Sequence, residues 1–122
     1  MVASEQIEQF LRFLREAETD LHIAQDDEKQ ANEETQDILH RLELCDDDAD
    51  FTGELAGKLR VTRRMRRKAK DTREVCSPVC GWAQDYAAVV KSLERLLGDI
   101  RKIEARQQNR MYIPRTDILE EK

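Results

Sequence analysis

Apolar residues in the first 45 positions recur every third or fourth residue, and this spacing limits the chain to long helices that pack through a narrow seam. One seam position of the heptad holds Ile7, Leu14, Leu21, Glu28, Thr35 and Leu42, and the other holds Phe10, Ala17, Ala24, Ala31, Ile38 and Cys45. The seam is large and apolar near its ends and small or polar in its middle. We therefore predict a helix over about residues 4–45, capped by Ser4, whose centre specifies register more than stability.

An aspartate-rich run and a proline mark where the helices after residue 45 should begin and end. The run of residues 46–50 contains four aspartates and should end the first helix, because Asp is a poor residue for helix interiors and a good cap. A second helix, capped by Asp50 or Thr52, is predicted over about residues 54–76. Its apolar stripe is thin and comprises Leu55, Leu59, Thr62, Met65, Ala69 and Val75. Pro78 should then break or kink the chain, because it disfavours helical backbone at Ser77.

The strongest heptad pattern predicts a third helix over about residues 79–109. One seam position holds Tyr86, Leu93, Ile100 and Gln107, the other holds Val89, Leu96 and Ile103, and Trp82, Val90 and Leu97 widen the stripe. Residues 110–122 are expected to form an extended tail, since Pro114 disfavours helix at Ile113.

The composition sets the fold class. Only 39% of the residues are hydrophobic and 39% are charged, which is too little apolar material for a thick core and too much for disorder. We expect one all-α domain over residues 1–122, with long antiparallel helices in a coiled-coil-like hairpin or bundle. A lone hairpin would leave much of its seam wet, so we expect oligomerisation to a dimer or to an assembly of dimers such as a hexamer.

Three features of the sequence indicate the cellular compartment in which the protein is expected. No apolar run is long enough to span a membrane, and the N-terminus lacks the basic and apolar regions of a signal peptide. The three cysteines are an odd number, which argues against a secreted disulfide framework. We therefore expect a cytoplasmic protein without a membrane partner.

Charge is strongly segregated along the chain. Residues 1–57 carry 17 acids and 4 bases, whereas residues 58–73 carry 9 bases and 1 acid. Within this basic block Arg60, Arg63, Arg64 and Arg67 share one helix face. Guanidinium groups suit phosphates because they form planar bidentate contacts. The block could instead be a solvated face paired with the acidic first helix, or a surface for a nucleic-acid backbone, although the acidic remainder would repel a long polyanion.

Two further features are candidate ligand contacts. Trp82 and Tyr86 share a helix face, where they could pack in the core or form a wall that stacks on a base. In the tail, Arg110, Tyr112 and Arg115 could hold phosphates and stack on a base, or the tail could pack onto a neighbouring helix.

Catalysis has little support in the sequence. The two histidines lie on a charged helix, and the sequence has no glycine-rich phosphate loop or nucleophile elbow. We therefore expect that the protein is not an enzyme and binds neither a cofactor nor a metal. Two alternatives remain open. A zinc shell could form from His40, Cys45, Cys76 and Cys80. The acids Glu33, Glu34 and Asp37 match half of the metal motif of a helical pyrophosphohydrolase.

Three segments taken together, residues 36–44, 59–71 and 109–115, resemble small phage and prophage proteins of Gram-positive hosts. Within that group the chain is similar to the anti-Thoeris signal-sponge family, and the resemblance spans roughly residues 7–116.

The resemblance implies a specific function. Such proteins bind and sequester the cyclic ADP-ribose isomer made by TIR-domain defence enzymes in the bacterial cytoplasm, without degrading it, and some hold cyclic oligonucleotides. They are helical dimers that assemble further, with ligand sites where protomers meet. The motif match then assigns the pyrophosphate contact to Arg63, Arg64 and Arg67, the C-terminal motif to Arg110, Tyr112, Pro114 and Arg115, and base stacking to Trp82 or Tyr86.

Overall fold

The structure, a computed structural model, describes residues 2–110, and this part of the chain folds into three α-helices without any strand. Helix α1 spans Ala3–Leu44, α2 spans Ala49–Asp85 and α3 spans Ala87–Gln108. The predicted all-α class is confirmed. Within residues 2–110, none of the helices has a stretch that is apolar enough over sufficient length to cross a membrane. The predicted tail beyond Arg110 lies outside the described residues.

Helices α1 and α2 form a long antiparallel hairpin. Going down α1 from Glu34 to Glu28 and Phe10, the partners on α2 move up from Thr62 to Arg73 and Trp82. Rising residue numbers on one helix therefore face falling numbers on the other. The antiparallel arrangement predicted from the heptad pattern is confirmed for this pair.

The α1 side of the seam largely follows the predicted positions. Among these, the structure buries Leu14, Ala17, Ala24, Ala31, Thr35 and Ile38. Phe10 and Cys45 were wrongly placed in the seam, because both are exposed. The buried alanines have no side chain beyond Cβ, and Ala24 meets Ala69 of α2 along the same groove. Small residues of this kind let the two backbones approach closely at the centre of the hairpin.

The α2 side of the seam departs further from the prediction. Leu55, Thr62 and Ala69 are buried as expected. Met65 and Val75 are not, since 59% and 69% of their surfaces are exposed. The buried stripe continues instead through Arg66 and Arg73, which contact α1, to Cys76 and Cys80. The two arginines occupy seam positions because α1 offers polar partners opposite them.

The connection between the hairpin helices is short. Helix α2 begins at Ala49, five residues before the predicted start, and its N-cap is Asp48 rather than Asp50 or Thr52. The Asp48 carboxylate accepts a hydrogen bond of 2.7 Å from the amide of Phe51. Arg41 of α1 reaches across to Asp47 at 2.9 Å and also lies over the ring of Phe51. These contacts allow α2 to begin directly after the acidic run.

The predicted break at Ser77–Pro78 is wrong, because α2 continues through Pro78 to Asp85. Proline removes only one helical hydrogen bond, and the burial of Cys76 and Cys80 beside it keeps this part of α2 against the hairpin. The chain bends at Tyr86 instead, where φ is −111° and ψ is 35°. The Tyr86 amide still donates to the Trp82 carbonyl, so the bend is local.

Helix α3 lies on the first turns of α1. Its buried or half-buried positions are Val90, Leu93, Leu97, Ile100 and Glu104. The Glu104 carboxylate accepts hydrogen bonds from the Ser4 amide and hydroxyl, and Arg101 pairs with Glu8 at 2.9 Å. The prediction that Ser4 caps α1 is therefore wrong. The helix begins at Ala3, and the Ser4 side chain is turned towards α3. Most of the predicted α3 heptad stays exposed.

Candidate functional site

The arginine face consists of Arg60, Arg63, Arg64 and Arg67, which span two turns on the outer side of α2. All four side chains are exposed, and none forms an ion pair or a hydrogen bond with another residue of the range 2–110. Their Cα atoms rise over about 10 Å of helix. Four guanidinium groups with free donors on one face form a strongly positive surface that matches phosphate oxygens.

Two neighbouring arginines of the basic block behave differently. Arg73 Nε donates to Glu28 Oε2 at 2.6 Å and Arg66 Nε donates to Asn32 Oδ1 at 2.6 Å. The hydrogen bond from Arg73 lowers the pKa of the Glu28 carboxyl below its ordinary value, and Glu28 in turn raises the pKa of Arg73. Pairing with α1 therefore accounts for these two arginines and not for the arginine face.

The Glu28–Arg73 pair makes hairpin stability depend on pH. Because the pKa of Glu28 is lower in the folded chain than in the unfolded chain, the pair stabilises above the ordinary carboxyl pKa, and this contribution is lost as pH falls through the folded-state value. We expect Glu28→Gln to destabilise the chain at neutral pH and to have almost no effect near about pH 2. Urea unfolding of both proteins at each pH measures the difference.

Glu33→Gln is the matched control for this experiment. Glu33 lies on the same helix, is exposed and has no partner among the described residues. It should leave the free energy of unfolding unchanged at both pH values. An equal loss of stability from Glu28→Gln at neutral and acidic pH would contradict an electrostatic role for the pair.

The aromatic cluster lies near the other end of α2 and contains Phe10, Phe13, Trp82 and Tyr86. The Trp82 and Tyr86 ring centroids are 5.4 Å apart, and Phe10 meets the Trp82 ring edge-on at 6.2 Å. Trp82 is 41% exposed and Tyr86 is 50% exposed, so neither ring is a core residue. An open groove of about 350 Å³, lined by Phe10, Phe13, Leu14, Pro78, Val79 and Trp82, lies beside them. The cluster offers flat apolar surfaces on which a base could stack.

Sequence reasoning missed the contribution of α1 to this cluster. Phe10 was assigned to the seam and Phe13 was not singled out. The available signal was that Phe13 lies outside the predicted seam positions but only three residues from Phe10, so the two rings are neighbours on the helix surface.

The structure does not bring the arginine face and the aromatic cluster together within one chain. Arg67 and Trp82 lie on the same helix, and 15 residues of helix between them correspond to about 22 Å. This length exceeds a mononucleotide-sized ligand. Arg110 is exposed after the end of α3, whereas Tyr112 and Arg115 lie outside the described residues. A site that uses both clusters therefore needs side chains from a second copy.

The described residues support neither the zinc shell nor the acidic metal motif considered from the sequence. Within residues 2–110 no group of three His, Cys, Asp or Glu side chains is placed to hold a metal ion. Cys76 and Cys80 lie in the buried seam, where burial raises the pKa of the Cys80 thiol, with smaller contributions from Cys76 and Glu18. Cys45 is exposed at the far end of the hairpin. Thiols that stay protonated are poor nucleophiles and poor metal ligands.

Comparisons of the chain with protein-family models, with curated proteins and with solved structures find no match. Any functional conclusion therefore depends on the residues and on their arrangement.

Proposed function

We propose that this chain is a non-catalytic binding protein that holds a phosphate-bearing nucleotide on its arginine face. The observation that carries the proposal is the exposure of four arginines without a carboxylate partner in residues 2–110, although α1 is rich in acidic residues. A helix that folds against an acidic arm and still leaves four guanidinium groups unpaired retains them for an external anion. The ligand class implied by the resemblance is a cyclic ADP-ribose isomer, and its sequestration would block TIR-based antiphage defence; a cyclic oligonucleotide is a second ligand class.

The convex shape of the arginine face means that it cannot enclose a small ligand by itself. A face on a single helix is convex, and tight binding of a small ligand needs a pocket that covers most of its surface. We infer that the ligand lies between protomers, where a second copy supplies the opposite wall. In such a site the arginine face holds the two phosphates and an aromatic ring of the other copy stacks on the adenine.

The second candidate function is a regulatory protein that binds a protein or nucleic acid through the basic helix. The observation that favours it is the openness of the arginine face, which no groove of the described chain encloses. Such a protein would bind its partner by an extended surface, and small nucleotides would leave its stability unchanged.

A thermal-shift screen separates the two functions. We expect a cyclic ADP-ribose isomer at about 100 times its Kd to stabilise the chain by about 2.7 kcal/mol. For a domain of this size that corresponds to a rise in Tm on the order of 10 °C. Cyclic oligonucleotides, linear ADP-ribose, inorganic pyrophosphate and a short DNA duplex form the comparison set. Ligand recovered chemically unchanged after heat denaturation would separate sequestration from hydrolysis.

Three results would count against nucleotide sequestration. Equal shifts with pyrophosphate and with every nucleotide would indicate a nonspecific anion effect. A shift with the duplex alone, falling steeply with salt, would favour the nucleic-acid partner. Absence of any shift at millimolar ligand would remove the small-molecule function.

A further inference from the structure

Helix α3 carries one wide apolar stripe with two adjacent sides. One side is turned towards α1 and includes Val90, Leu97 and Glu104, and Glu104 also accepts the Ser4 hydrogen bonds. The adjacent side is open. Its exposed members include Tyr86 at 50%, Val89 at 54% and Leu96 at 46%. Contact with α1 therefore covers only part of the apolar surface of α3.

The open face has the spacing of a coiled-coil seam. Its members are Tyr86, at the bend before α3, and five residues of α3 itself, Val89, Leu93, Leu96, Ile100 and Ile103, and they alternate steps of three and four residues. Leu93 and Ile100 are half-buried at the border with the α1 contact. An uninterrupted seam of this length on one helix matches a facing helix with the same spacing. Exposed apolar stripes of this kind mark interaction sites.

We propose that the open face of α3 pairs with the same face of a second copy in an antiparallel coiled coil. In antiparallel pairing the two seam positions of one helix face each other across the interface. The register that uses the whole stripe sets Tyr86 against Ile103 of the second copy, Val89 against Ile100 and Leu93 against Leu96. The same three layers recur on the other side of the two-fold axis, because a two-fold interface repeats each contact.

Charges beside the seam fit this register. It places Asp85, the last residue of α2, within two residues of the level of Arg106 of the second copy, and it places Ser92 in the same relation to Asp99. Asp85 and Arg106 are exposed and have no ion-pair partner among residues 2–110. Two-fold symmetry forms the Asp85–Arg106 pair twice, once at each end of the interface. The Asp85–Arg106 pair is thus compatible with the alignment that uses the whole seam.

A parallel pairing is disfavoured by the same residues. It would bring Asp99 level with Glu104 of the second copy, and this like-charge contact would also occur twice. It would further require the positions of Val90, Leu97 and Glu104, which already lie against α1. The antiparallel arrangement leaves that side to the two α1 helices. This inference is independent of the nucleotide-binding proposal.

Sedimentation equilibrium of the full chain tests the interface. The expected mass is twice the 14.3 kDa of one chain. Leu96→Asp places a carboxylate in the central layer and should weaken dimerisation by about 100-fold or more while circular dichroism stays helical. Val61→Asp is the matched control, because Val61 is 56% exposed on α2 and outside the interface, and it should leave the mass unchanged.

A charge-swap cycle tests the orientation and avoids any large change in the seam. Asp85→Arg and Arg106→Asp should each weaken the dimer by about tenfold, because each turns two attractive contacts into repulsive ones. The double variant should regain the dissociation constant of the unaltered chain. A monomer at about 100 μM, a dimer that tolerates Leu96→Asp, or a double variant without recovery would overturn the proposal.

Discussion

Reversing the charge of Arg63, Arg64 and Arg67 together is expected to weaken nucleotide binding by about 1000-fold or more. A hydrogen bond to a charged group contributes about 1.5–3 kcal/mol, and three such contacts to phosphate would be replaced by repulsion. The fold should tolerate the change, because all three side chains are exposed and form no hydrogen bond or ion pair with another residue of the described range. Isothermal titration calorimetry measures the affinity and circular dichroism checks the helices.

A control variant with the same change in net charge separates a local site from general electrostatics. Arg15→Glu, Lys29→Glu and Lys91→Glu reverse three exposed cations that are distributed over α1 and α3. We expect this variant to lose affinity by less than about tenfold, because distant charges are screened at physiological salt. Equal losses in the two triple variants would show that the arginine face is not the binding surface.

Replacing Leu11 by alanine should lower the free energy of unfolding by about 2–4 kcal/mol. Leu11 is among the most buried side chains of the described residues, with 3% of its surface exposed, and truncation leaves a cavity where helix packing is thin. Small domains are stable by only about 5–15 kcal/mol, so this is a large fraction of the total. Urea unfolding at a fixed protein concentration measures it.

Leu39→Ala makes the same chemical change on the same helix at an exposed position. Leu39 is 42% exposed, so truncation there removes little buried surface and should cost less than about 1 kcal/mol. Similar losses from the two variants would contradict a packing role for the buried Leu11 side chain.

The heptad spacing allowed the hairpin to be predicted from the sequence. Ala17, Ala24 and Ala31 recur at one seam position, and the bounds of α1 differ from the predicted ones by one residue. Helical periodicity is a local property, so the sequence contains it directly. Which neighbouring helix covers a given stripe is not local. For this reason α3 was expected to pack through a stripe centred on Tyr86 and Leu96 and widened by Leu97, whereas only Leu97 of these three is buried.

Charged seam residues and the helix break were harder to predict. Arg66 and Arg73 look like surface residues until Asn32 and Glu28 are known to lie opposite them. Pro78 is a strong local signal for a break, but packing of Cys76 and Cys80 against α1 outweighs it. The four face arginines are exposed, which fits both a solvated face and a ligand contact. Their role in binding a ligand, and a nucleotide in particular, stays a prediction.

The Glu28–Arg73 contact also selects one alignment of the hairpin. Small side chains along both sides of the seam would by size alone permit α2 to shift by seven residues along α1. A shift in one direction sets Glu28 against Cys80, and a shift in the other sets Arg73 against Leu21. Each breaks the contact between Glu28 and Arg73 and leaves one of the two charges facing a non-polar group, which disfavours the shifted alignment. Hairpins that form one heptad out of place should therefore dissociate and reform quickly, so the chain avoids long-lived misaligned states during folding.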